Sequence, residues 1–136
     1  MGCSFEVAAS SKLLRGTFDG TLDDATLIDS HAKARKLAAK TGAQCGIADF
    51  SAVKLFQVAA ETLRTLAAEP PIFPAPWRAL IVSPSDHIYG MARMFELLAD
   101  GTSRDVTVVR TLDEAYRLLG IKTPPEFQKV ELDESL

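Results

Sequence analysis

Three short apolar runs, Gln44–Phe50, Trp77–Val82 and Val106–Val109, are separated by stretches whose apolar residues recur at helical spacing, and this alternation constrains the fold most. Runs of this length, bounded by turn residues, suit strands covered on both faces. Strands alternating with helices then give a mainly parallel sheet. Ahead of them, Phe5, Val7 and Ala9 alternate with Glu6 and Ala8, and strand-type composition resumes at Leu13, Leu14, Thr17 and Phe18. This predicts an antiparallel hairpin ending at Asp19-Gly20.

Helix signals fill the gaps. Thr21-Leu22-Asp23-Asp24 offers an N-cap at Thr21 followed by acidic residues, where the helix dipole favours them. The first helix should run to Lys40-Thr41 and stop at Gly42, with Leu27, Ile28, Ala32, Leu37 and Ala38 as its apolar positions. Ser51 to Phe56 reads as a loop. Val58, Ala59, Thr62, Leu63, Leu66 and Ala67 mark a second helix that must stop before Pro70-Pro71. Four of the seven prolines lie between Pro70 and Pro76, which predicts a stiff, extended connection. A third helix is expected from Asp86 to Asp100 with Gly101 beyond it, and a fourth from Thr111 to Gly120. The expected architecture is α/β, a mixed five-stranded sheet with covering helices in the order β-β-α-β-α-β-α-β-α. Residues 1–121 form a single domain, and 122–136 an acidic tail with two basic and four acidic residues, expected to be loosely attached.

Composition narrows the function. Fifteen Lys and Arg against eighteen Asp and Glu leave a net charge of −3. That balance disfavours nucleic acid as a partner, because such binders carry a basic excess that releases counterions from phosphates. No apolar run reaches bilayer-spanning length, so no membrane insertion is expected, and the first residues lack the charged-then-apolar order of a signal peptide. A cytoplasmic location follows as an expectation. Cys3 and Cys45 show no disulfide spacing pattern and read as reduced thiols. The opening Met1-Gly2-Cys3-Ser4-Phe5-Glu6 departs from a myristoylation signal at Glu6.

Catalytic patterns are sparse. His31 and His87 fall on different predicted helices without Cys, Asp or Glu at metal-ligand spacing, and read as ordinary, partly exposed residues. No phosphate loop and no Gly-x-Ser-x-Gly is present. The acidic pairs Asp23-Asp24 and Asp113-Glu114 belong to first turns of helices, where the dipole explains them. An enzyme built on Tyr89, Asp86 or Cys45 lacks a recognisable nucleophile–base pair, so neither catalytic residues, metal nor cofactor is assigned.

Met91, Met94, Phe95 and Leu98 follow helical spacing, as a core stripe or as a flexible ligand-binding wall. Tyr89, Arg93 and Glu96 lie on another face, either a surface network or the polar lining of a site. Gly90, inside this helix, marks a place where something else could approach closely. The turn Ser83-Pro84-Ser85-Asp86 follows the carboxyl end of a predicted parallel strand, where ligands of open α/β sheets usually lie. Ser83, Ser85, Asp86, Tyr89 and Arg93 are therefore the candidate ligand-binding residues. Capping by Ser85 or Asp86 is the competing explanation.

Element order, and the stretch Gly46-Ile47-Ala48-Asp49-Phe50-Ser51-Ala52-Val53-Lys54-Leu55, resemble the STAS domain of bacterial anti-sigma-factor antagonists, the SpoIIAA-like fold. The second half, Val82 to Asp86 into Tyr89–Glu96 and then Asp113–Leu119, is similar to small bacterial STAS-like proteins. The resemblance spans about residues 5–121 and implies a regulatory module, switched in that family by phosphorylation of a serine in an Asp-Ser-Ser-Gly pattern. This chain has Gln57-Val58-Ala59-Ala60 there, without the acceptor hydroxyl; Ser51 and Thr62 are nearby but off that position. The expected function is a non-enzymatic STAS-like module recognising a protein partner or small ligand. The alternative is a carrier or sensor of an apolar or amphipathic molecule, with Met91, Met94 and Phe95 as walls and Arg93 as an anion contact. Ile72, Phe73 and Trp77, crowded about the proline-rich connection, predict a two-fold homodimer or, equally, packing onto the domain's own core.

Overall fold

The computed structural model describes residues 3–70, 72–73, 78–99 and 106–131. Strands β1 (Cys3–Ala8) and β2 (Leu13–Asp23) form the expected hairpin, turned through a 3₁₀ segment at Ala9–Ser11 and Lys12 in the left-handed region at φ 50°. Helix α1 (Asp24–Thr41) leads to β3 (Cys45–Gln57), α2 (Ala60–Ala67), β4 (Arg78–Val82), α3 (Asp86–Ala99), β5 (Val106–Val109), α4 (Leu112–Leu118) and β6 (Gln128–Val130). The sheet order is β5-β4-β3-β2-β1-β6. β2 through β5 are parallel, and β1 is antiparallel to both its neighbours.

The mixed α/β architecture agrees with the sequence reading, and 45–50, 78–82 and 106–109 share one sheet. Trp77, expected to begin the β4 run, lies outside the described residues. The strand count is corrected from five to six, and a further strand closes the element order. That strand comes from the stretch expected to be a loose tail: Phe5 pairs with Val130 and Val7 with Gln128. Lys129 stands exposed on this edge strand, while Val130 packs against the core.

Two boundaries also move. β2 does not end at Asp19-Gly20 but continues to Asp23, and β3 runs through the predicted loop at 51–56. The two pair from Leu13↔Cys45 to Asp23↔Gln57, with register shifts around Asp19 and Gly20. Gly20 takes φ 67° there, a conformation that suits a bulge and is open to glycine without strain. Thr21 is thus a strand residue, and α1 is capped instead by Asp23, whose Oδ1 accepts the Thr26 N–H at 2.8 Å. Gly42 closes α1 at φ 73°, its N–H donating to the Ala38 carbonyl at 2.9 Å.

Because side chains alternate along a strand, Leu13 and Leu14 face opposite sides of the sheet. Leu14 and Phe18 join α1, α2 and α3 in one core, whereas Leu13, Ile47, Leu80 and Val82 join Ala115 and Tyr116 of α4 in the other. Among the described residues, three helices thus cover one face and a single short helix the opposite one. Among the described residues no helix is long and apolar enough to cross a membrane.

Candidate functional site

On the three-helix face the floor of the sheet is thinned by glycine. Gly46 of β3 pairs with Leu14 of β2, and Gly16 of β2 pairs with Ala48 of β3. Neither glycine is there for a left-handed turn. A Cβ at Gly16 would lie 3.0 Å from Cε1 of Phe5, and one at Gly46 would lie 2.6 Å from Cζ of Phe73. Aromatic rings therefore reach down to the backbone at both positions. Between this floor and the helices remains a cavity of about 150 Å³.

Among the described residues its wall is aliphatic, aromatic and thioether except for two polar side chains, Ser30 and His31 of α1. Ser30 is buried, and its hydroxyl donates to the Leu27 carbonyl at 2.9 Å. His31 holds Nδ1 3.3 Å from Oε2 of Glu69. Arg35 reaches the same carboxylate oxygen at 3.5 Å and donates to the Pro70 carbonyl at 2.8 Å. α1 is thereby tied to the chain leaving α2, next to Ile72 and Phe73 in the cavity wall.

His31 is partly exposed, as expected, but its side chain retains only 13% of its exposure and lies in the cavity wall. The inward face of α1 also differs from the expected apolar set: Ile28 is 49% exposed and Ala32 is exposed, while Leu27, Ser30, His31 and Ala34 face the cavity. The i, i+3, i+4 and i+7 spacing from Leu27 was the available signal, masked by the polarity of two members. On α3, Met91 and Phe95 line the cavity, Met94 packs partly buried against the core, and Leu98 is 37% exposed. The stripe serves as core and cavity wall together.

The turn at 83–86 does lie at the carboxyl end of β4. Ser83 is fully buried; its N–H donates to the Val109 carbonyl at 2.9 Å and its hydroxyl to the Ser85 carbonyl at 3.3 Å. That same carbonyl accepts the Tyr89 N–H at 2.8 Å, opening α3. Asp86 and Tyr89 are brought together by a residue that sequence reasoning passed over, Arg110. Its Nη1 donates to Asp86 Oδ1 at 2.8 Å, and its guanidinium stacks 3.8 Å from the Tyr89 ring centroid. Arg93 instead pairs with Glu96, whose Oε1 accepts the Val108 N–H at 3.0 Å. Glu96 thereby satisfies a donor of the edge strand β5, a means of blunting a sheet edge. At Gly90 the position where a Cβ would stand has no protein atom within 4 Å.

The remaining reactive groups are quiet. Burial pushes the Cys3 thiol up from 9.0 to about 12, and burial likewise raises Cys45, partly opposed by Arg78. Both cysteines are free. Ser51 donates through its N–H and hydroxyl to Asp49 Oδ1 at 3.0 and 2.6 Å. At the start of α2, where the STAS-type serine would stand, Ala59 provides no side-chain cap, and its N–H donates to Asp24 Oδ1 at 2.9 Å. Among the described residues no group of three or more His, Cys, Asp or Glu could hold a metal ion.

Fold and site together define a mixed α/β domain whose most distinctive feature is an apolar cavity beneath three helices. No protein-family model and no curated protein matches the chain.

Proposed function

We propose that the protein is a non-enzymatic binding domain that holds a small, largely apolar molecule between its sheet and helices α1–α3, as a carrier or sensor. The cavity of about 150 Å³ carries this reading. An apolar pocket of roughly this size accepts a benzene-sized solute, because an apolar guest gains dispersion contacts with the wall. In support of a non-enzymatic role, the Ser30 hydroxyl donates to a backbone carbonyl and the His31 Nδ1 faces Glu69, so among the described residues the wall holds no hydroxyl paired with a base.

The STAS-like regulatory reading is the companion proposal. An antiparallel hairpin leading into parallel strands is compatible with the resemblance. At the start of α2, Gln57 to Ala60 offer no hydroxyl, and the Asp24 carboxylate occupies the Ala59 N–H. A phosphate there would meet a like charge. Ligand occupancy is then the input and a protein partner the output.

Toluene tests the cavity. Saturable binding of a ligand to the folded state alone raises the melting temperature in proportion to ligand excess over Kd. We expect toluene to raise it in the wild type and not in Ala48→Leu, whose added carbons occupy the cavity. Native mass spectrometry of the freshly purified chain should show a retained small mass. An unmoved melting temperature together with a bare mass would overturn the reading.

A further inference from the structure

We infer that the cavity selects an uncharged, ring-sized molecule bearing one O–H or N–H donor, and that Ser30 Oγ accepts that donor. This rests on the binding reading above and names its ligand class.

The chemistry of Ser30 sets the direction of the hydrogen bond. A serine hydroxyl has one proton and two lone pairs. Here the proton is committed to the Leu27 carbonyl at 2.9 Å, in a residue that is 4% exposed. Towards a guest, Ser30 therefore acts as an acceptor. A phenol-type hydroxyl or a ring N–H meets that requirement, whereas an ether or ketone offers only a second acceptor.

Charge is disfavoured by the rest of the wall. His31 is engaged by Glu69, and Arg35 reaches the same carboxylate, so the nearby charges already face one another. A guest carboxylate would leave water for aliphatic and aromatic groups and would approach Glu69. A guest ammonium would find that carboxylate occupied by two partners. Either ion would lose hydration without a matching contact. Size sets the rest: a space of about 150 Å³ admits a guest of about one ring.

The test titrates the full chain with phenol, toluene and benzoate, comparing wild type with Ser30→Ala. Alanine is the best helix former, so this variant keeps α1. We expect phenol and toluene to bind the wild type and benzoate not to bind at concentrations that saturate phenol. Ser30→Ala should weaken phenol about ten-fold, the scale of a buried donor left unsatisfied, and leave toluene unchanged. If toluene binds but phenol is insensitive to Ser30→Ala, or both weaken equally, Ser30 is structural and the inference fails while the cavity reading stands. Benzoate binding as tightly as phenol would also overturn it. If neither neutral ring binds the wild type, the binding reading fails, and this inference with it.

Discussion

The ring of Phe73 rests on the Cα of Gly46: a methyl group added there would come within 2.6 Å of Cζ and 2.7 Å of Cε2. Phe73 is buried, and Ile72 is partly buried against the same core, so both turn inward from the proline-rich connection. Gly46→Ala must displace the ring. Overpacking of this kind costs about 1–3 kcal/mol. Urea unfolding should show that loss, and Gly46→Ala combined with Phe73→Leu should recover part of it.

Gly90 predicts the opposite sign. It is an exposed residue inside α3 whose added Cβ would meet nothing within 4 Å. Replacing a helix-interior glycine by alanine removes a backbone-entropy penalty of about 1 kcal/mol. Gly90→Ala should raise the denaturation midpoint without changing the slope of the transition.

Arg15 ties the carboxy-terminal segment to the sheet. Its guanidinium stacks 3.8 Å from the Phe127 ring centroid and donates to Tyr116 Oη at 3.0 Å and Glu6 Oε1 at 2.9 Å. A double-mutant cycle of Arg15→Met with Phe127→Leu should return a coupling of about 1 kcal/mol, within the range of partly buried cation–π pairs. Phe127→Leu should also speed hydrogen exchange at β6, which is held by only three paired residues.

The thiols give a pH prediction. With the Cys3 thiol at about 12 instead of 9.0, its thiolate population near pH 8 is lowered by burial. Because the thiolate is the nucleophile, alkylation of Cys3 by iodoacetamide in the folded protein should be about a thousand-fold slower than that of an unhindered thiol. Cys45 should also be slow, its thiol being raised by burial. For both, the raised folded value means stability present below the unfolded pKa and lost as pH rises towards the folded one. Unfolding in urea at pH 8 should restore ordinary rates at both positions.

Local patterns account for much of the architecture. Gly42 ends α1, Thr111 caps α4 by accepting the Glu114 N–H at 3.2 Å, and the runs at 45–50, 78–82 and 106–109 form neighbouring strands. Each rests on residues adjacent in sequence, so each leaves a readable local mark. The turn at Ser83 was legible as the end of a strand and the start of a helix for the same reason.

Distant partners decided the rest. Ser51 to Phe56 reads as a loop because its polar residues lack strict alternation, yet it is a strand because β2 lies beside it. β6 is a strand because β1 offers an open edge, and Tyr89 stacks on Arg110 because β4 and β5 end side by side. The amino-acid sequence by itself determined the Gly42 stop of α1, the Thr111 cap of α4, the buried strand runs and the alternation that yields a mixed sheet, all consequences of backbone preference and periodicity over a few residues. Only the tertiary structure decided the cavity. It is bounded by residues from β1–β5, from α1–α3 and from Ile72 and Phe73, and no stretch of chain records a space that separate elements leave between them.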